Sequence, residues 1–102
     1  MPELVGIRYD FKAISLATGT TNHDVRSNVA ELFDNIDVAK RVAIETDQTI
    51  SVRFNNSNYP AITIDVAANQ SPFQLPKDFL DVVNIFITNN SGSTANISIL
   101  LA

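Results

Sequence analysis

The chain has no cysteine and no tryptophan, one histidine, one methionine and three glycines among its 102 residues. Without cysteine there can be no disulfide, no thiol nucleophile and no cysteine-built zinc site. Without tryptophan, and with only two tyrosines, the chain is poor in the flat rings on which sugar-binding modules stack their ligands. Positive charge is also scarce. Seven Lys and Arg against eleven Asp and Glu leave a net charge of -4, the wrong sign for gripping phosphate backbones, so no nucleic-acid partner is expected. No apolar run approaches the roughly 18 residues of a membrane span. The start, MPELVGIRYDF, carries the acidic Glu3 and no apolar segment of signal-peptide type. No membrane partner is expected, and the chain reads as made in the cytoplasm and kept there or released by lysis. Its length suits one domain, 1–102, with residues 1–6 as an extended arm.

What is present is alternation. Across residues 41–66 the strong apolar side chains fall at even numbers: Val42, Ile44, Ile50, Val52, Phe54, Ile62, Ile64 and Val66. Polar residues such as Glu45, Asp47, Ser51, Arg53 and Thr63 stand between them, the period of two of strands with one dry and one wet face. Turn-rich breaks at 46–49 and 55–60 divide the stretch into three strands of an antiparallel meander. Burying one face of three strands does not offset the entropy of ordering them, so the meander requires a second layer.

Before it, Ile7, Tyr9 and Phe11 alternate at odd positions and Ile14 and Leu16 at even ones. A slip of phase near Lys12-Ala13 predicts a β-bulge. Residues 18–22 read as a turn. Residues 23–40 are open between a short helix near 25–36, with Asn28 as its start and Val25, Val29, Leu32, Phe33 and Ile36 on one face, and an extended crossing that buries the same residues. After the meander, residues 67–77 carry two prolines and read as a loop crossing between sheets, with Phe73 and Leu75 plugging the core edge. Segments 79–89 and 95–101 then form a last hairpin, with Val83, Ile85 and Ile87 facing Ile97, Ile99 and Leu101. The fold class is all-β: an antiparallel β-sandwich with Greek-key or jelly-roll-like crossings.

Residues with chemistry are few. His23 lies beside Asp24 in a polar stretch, but no nucleophile-elbow sequence accompanies the pair, which reads as a solvated loop or a cap. Asp34-Asn35-Ile36-Asp37 lacks the alternating pattern of a calcium loop and reads as a turn. Sequons at Asn55, Asn69, Asn89 and Asn96 reflect a turn composition rich in Asn and Ser. Tyr59, at a turn tip beside Pro60, is either a sugar or protein contact or a ring folded onto its own hairpin. No catalytic residue, cofactor or metal site is assigned.

The run Ile44-Glu45-Thr46-Asp47-Gln48-Thr49-Ile50-Ser51-Val52-Arg53-Phe54-Asn55, with Ala61 to Ile64, Ser71-Pro72-Phe73 and Asn84 to Ile97, resembles small structural proteins of tailed bacteriophages. The likeness spans residues 40–102 and rests on hairpin style and turn vocabulary. It implies a non-enzymatic β-sandwich subunit of the virion that decorates or cements the capsid, with a tail- or fibre-associated role as the alternative. It also implies the major capsid or tail protein as partner, together with homo-oligomerisation. The surfaces expected to bind are the arm, Met1, Pro2, Glu3, Leu4 and Val5, and the turn tips at Tyr59 and Ser91. A carbohydrate-binding module is the competing reading.

Overall fold

The computed structural model describes residues 8–76 and 79–102. Among them are eight strands: β1 (Asp10–Leu16), β2 (Thr20–Asp24), β3 (Val42–Thr46), β4 (Ile50–Phe54), β5 (Ile62–Ile64), β6 (Phe73–Gln74), β7 (Ile85–Asn89) and β8 (Ala95–Leu101). One sheet has the order β1-β8-β3-β6 and the other β2-β7-β4-β5. The antiparallel pairs β1–β8, β2–β7, β3–β6 and β4–β5 are nested. This is the path of one long hairpin whose arms, β1 to β4 and β5 to β8, zip together and roll up. Ladders β3–β8 and β4–β7 complete the two sheets. The result is an eight-stranded jelly roll.

Alternation decides what each strand buries. In β8, Ala95, Ile97, Ile99 and Leu101 point inward while Asn96 and Leu100 face out. Val42 and Ile44 of β3, Ile50, Val52 and Phe54 of β4, and Ile85 and Ile87 of β7 meet them in a single core between the sheets.

Rolling up changes several connections expected from the sequence. The stretch 41–66 is not a three-stranded meander, because β3 lies in one sheet and β4 with β5 in the other. Even-numbered residues point inward from both, so the alternation is the same for a hairpin and for a corner. The corner is built by Thr46, whose Oγ1 donates to the Gln48 carbonyl and accepts from the Gln48 amide. Asp47 ties it to β8 by accepting from the Asn96 amide and side chain. The last two strands are likewise not a hairpin, since β7 and β8 belong to different sheets. The chain bends there with Gly92 at φ +92, where a side chain would be strained.

The bulge expected at Lys12-Ala13 is absent, as β1 pairs with β8 without a break from Asp10 opposite Leu101 to Leu16 opposite Ala95. The phase slip records Tyr9 and Phe11 pointing outward, whereas Ile14 and Leu16 point in. The irregularity in register lies instead between Thr20 and His23 of β2. Only the first part of the expected turn at 18–22 is a turn, since β2 begins at Thr20 after Gly19 at φ +89.

The helix reduces to one turn, α1 (Val25–Asn28). Its cap is Asp24, whose carboxylate accepts from the Ser27 amide, and Asn28 is its last residue, not its start. Irregular backbone then carries Val29, Leu32 and Phe33 into the core. The loop expected over 67–77 does cross between sheets, but its second half carries the short strand β6, which pairs with β3; Leu75 is buried and Phe73 packs against the core as expected. Val83, expected to face inward, is exposed. Its neighbour Val82 is the buried residue, paired with Ala39 in an isolated bridge.

Candidate functional site

Because consecutive strands run in opposite directions, the connections gather at two ends of the sandwich. At one end lie β1–β2, β3–β4, β5–β6 and β7–β8, made largely of Thr, Asp, Asn, Gln, Ser and Gly. At the other lie β2–β3, β4–β5 and β6–β7, together with the beginning of β1. Tyr59 and Ser91, both expected to bind a partner, are therefore at opposite ends. The expected arm, Met1 to Gly6, lies outside the described residues.

The two ends differ in chemistry. Val38, Tyr59, Phe79, Leu80 and Val83, which are exposed large hydrophobic residues, all belong to connections at the end where β1 begins; Phe79 is 67% exposed. The Ala39–Val82 bridge brings the Val38 and Val83 positions together, and exposed apolar side chains that adjoin mark an interaction site more often than isolated ones do.

Cross-links between its loops hold this end in shape. Asn55 donates its side-chain amide to the Asp81 carbonyl and accepts from the Val83 amide. Arg26 donates to the carbonyls of Asp37 and Val83, pairs with the Asp37 carboxylate, and lies over the Phe33 ring at 5.1 Å. Lys40 pairs with Asp81. Apolar side chains are thus displayed on braced loops that also carry charges of both signs.

Tyr59 is presented, not folded back: its residue is 53% exposed. Arg53, one of the polar residues on the wet face, holds its backbone. Its Nε donates to the Tyr59 carbonyl and its Nη1 to the Asn22 side chain.

A second apolar area lies on the outer face of the β1-β8-β3-β6 sheet. Phe11, 54% exposed, stands opposite Leu100, and Leu100 opposite Ala43, in one row across three strands. A shallow depression beside this row is lined by Phe11, Ala43, Glu45, Pro72, Ser98 and Leu100. The outer face of the other sheet carries Ser51, Arg53, Thr63 and Thr88, with Phe86 half-buried.

The residues with chemistry have structural employment. His23 lies in β2 opposite the fully buried Ile87, not in a loop. The Asp24 carboxylate beside it is occupied by the Ser27 amide and the Asn84 side-chain amide. The Asn84 bond is the main reason its pKa is lowered, against a smaller opposing effect of burial. Loop 34–37 is held by Asp10, a buried carboxylate that accepts from the amides of Asn35 and Ile36 and from the Asn35 side chain. Among the described residues no group of three or more His, Cys, Asp or Glu is arranged to hold a metal ion. Of the sequon asparagines, Asn89 is fully buried, with its amide donating to the Leu16 and Ser93 carbonyls.

Tyr59 is singled out by the sequence, whereas the exposure of Phe11, Leu100, Val38, Phe79, Leu80 and Val83 is not. For Phe11 a signal existed in the odd phase of Tyr9 and Phe11, which was assigned to a bulge. The other exposed residues are aliphatic or aromatic in segments of high overall hydropathy, where exposed and buried side chains look alike. No family model matches the chain, and no curated protein matches it.

Proposed function

We propose that this protein is a non-catalytic structural subunit of a tailed-bacteriophage particle, made in the host cytoplasm, that decorates or cements the head by docking its apolar end on the major capsid protein. The observation that carries this reading is the gathering of Val38, Tyr59, Phe79, Leu80 and Val83 at the end where β1 begins. Such an end offers exposed apolar side chains on loops that also carry charges of both signs, the composition of a protein-docking patch. The jelly-roll strand order adds support by analogy alone, since the same architecture serves capsid shells, lectins and other proteins. A tail or fibre attachment would use the same chemistry on a different partner.

The experiment is co-sedimentation of the purified protein with heads, and separately with tails, that lack it. Binding to heads is expected, with an affinity loss of about tenfold or more for Val83→Asp and for Phe79→Ser, both at exposed positions where the thermal midpoint should hold. Removing residues 1–6 should also weaken binding while the domain stays folded. The exposed Tyr59 ring also suits a sugar. Retention on polysaccharide that vanishes with Tyr59→Ala, together with no affinity for heads or tails, would replace the virion reading by a carbohydrate-binding module.

A further inference from the structure

We infer that the outer face of the β1-β8-β3-β6 sheet is a two-fold interface with a second copy of this chain, sealed by reciprocal Arg41–Glu45 ion pairs. The inference is independent of the proposed attachment to a virion, which uses the end of the sandwich and not this face.

The register fixes the layout. Phe11, Leu100, Ala43 and Gln74 form one row across the four strands. Arg41 extends β3 by one ladder pair, since its backbone exchanges both hydrogen bonds with Ala102. Alternation puts Arg41 two residues to one side of Ala43 on the outer face, and Glu45 two residues to the other side. Both side chains are exposed, and among the described residues neither takes part in an ion pair. The face therefore has an apolar centre line, a basic position on one side of it and an acidic position on the other, each roughly 7 Å away at the rise of a strand.

That arrangement is complementary to itself. Consider a two-fold axis lying in the interface along the Phe11–Leu100–Ala43 row. It reverses the strand direction of the second copy, stacks the apolar row on itself and sets Arg41 of each copy over Glu45 of the other. An axis along the strands would instead set Arg41 over Tyr9 and Glu45 over Ala13, leaving both charges without partners. The charge pattern thus selects one of the two face-to-face arrangements, and closure by two-fold symmetry limits the assembly to a dimer. The opposite sheet offers no comparable row: on its outer face Ser51 stands between Thr63 and Thr88, and the half-buried Phe86 stands beside Arg53.

Size sets the expected strength. The four strands, seven, seven, five and two residues long, give at roughly 3.3 Å rise and 4.8 Å spacing a footprint of roughly 330 Å² per copy, below the range of stable specific interfaces and in that of weak, transient ones. Association should be weak and reversible, with a Kd in the micromolar range, about 10 to 100 µM.

Sedimentation velocity over about 5 to 500 µM, near physiological ionic strength, tests this on the full chain. A monomer–dimer equilibrium is expected. Leu100→Asp, and independently Phe11→Ser, should raise Kd by about tenfold or more with the thermal midpoint little changed. Either Arg41→Glu or Glu45→Arg should weaken the dimer by a similar factor, and the two together should restore it to within about threefold, because the pair is only exchanged. A chain that stays monomeric throughout would overturn the inference. So would a dimer indifferent to Leu100→Asp and Phe11→Ser, or a double reversal no better than the singles.

Discussion

Asn89 is fully buried, and both hydrogens of its amide are committed, to the Leu16 carbonyl at 2.8 Å and the Ser93 carbonyl at 2.9 Å. Its Oδ1 accepts from the Ser91 amide. One side chain therefore ties the β1–β2 corner to the β7–β8 corner, and Asn89→Ala should cost about 2 to 3 kcal/mol in a denaturant titration, because it strands buried backbone groups. A loss below about half a kcal/mol would mean that water replaces the amide. Val52, at 0% exposure, tests the core itself: Val52→Ala should cost about 1 to 3 kcal/mol. Asp24 and Asp47 both have lowered pKa values, Asp24 chiefly through the Asn84 side chain and Asp47 chiefly through the Asn96 amide. A carboxylate with a folded pKa below its unfolded one contributes stability that is present above about pH 4 and is lost as pH falls through the folded value. The thermal midpoint should therefore drop on acidification below about pH 4, and less steeply in Asp24→Asn, which keeps a capping side chain but no longer titrates. An equal slope in the variant would remove Asp24 from the account. The sequence offered a cap as one reading of the His23-Asp24 pair, and Asp24 does cap α1, but its bond to Asn84 was not legible, nor were those of Asn89, which read as part of a sequon. Partners far along the chain, Leu16 for one and Asn84 for the other, give them their roles.

At the scale of elements, alternation was legible and connection was not. The inward residues of β3, β4, β7 and β8 follow the period of two in the sequence, and every one of Val42, Ile44, Ile50, Val52, Ile85, Ile87, Ile97 and Ile99 is buried. That period records which way a side chain points relative to the core, and the core lies between the sheets. A strand from either sheet therefore gives the same pattern, and the corner at 46–49 could not be told from a hairpin. Residues 23–40, open in the sequence between a short helix and a crossing that buries the same side chains, combine the two. Val25, Val29, Leu32 and Phe33 are buried as helical spacing implies, but only Val25–Asn28 is helix. The rest is irregular backbone fastened by Asp10, with Phe33 at φ 60. Because Asp10 supplies three acceptor contacts to Asn35 and Ile36 within 3.0 Å, Asp10→Ala should release this loop. The expected result is faster hydrogen exchange across residues 29–37 and a stability loss of about 2 kcal/mol or more. Unchanged exchange there would show that burial of Val29, Leu32 and Phe33 suffices to fix the loop.

At the scale of the molecule, the nested hairpin makes the first and last strands unequal. The β1 ladder begins at Asp10, and its pairing with β8 is complete from there. By contrast, β8 sits inside its sheet, flanked by β1 and β3, and gives Ala95, Ile97, Ile99 and Leu101 to the core at 0 to 1% exposure. Removing it would strand two ladders of backbone groups and open the core along its length, losses that exceed the few kcal/mol by which a domain of this size is stable. Deleting residues 1–6 should accordingly leave a cooperative thermal transition within a few degrees of the parent. Deleting residues 95–102 should abolish it, leaving a chain without a sharp transition and with little sheet signal in circular dichroism. The two truncations remove similar lengths of chain, so chain loss alone cannot explain a difference between them. A cooperative transition that survives loss of the last eight residues would mean that β1 and β3 can close on each other, and the nested-hairpin account of this fold would then be wrong.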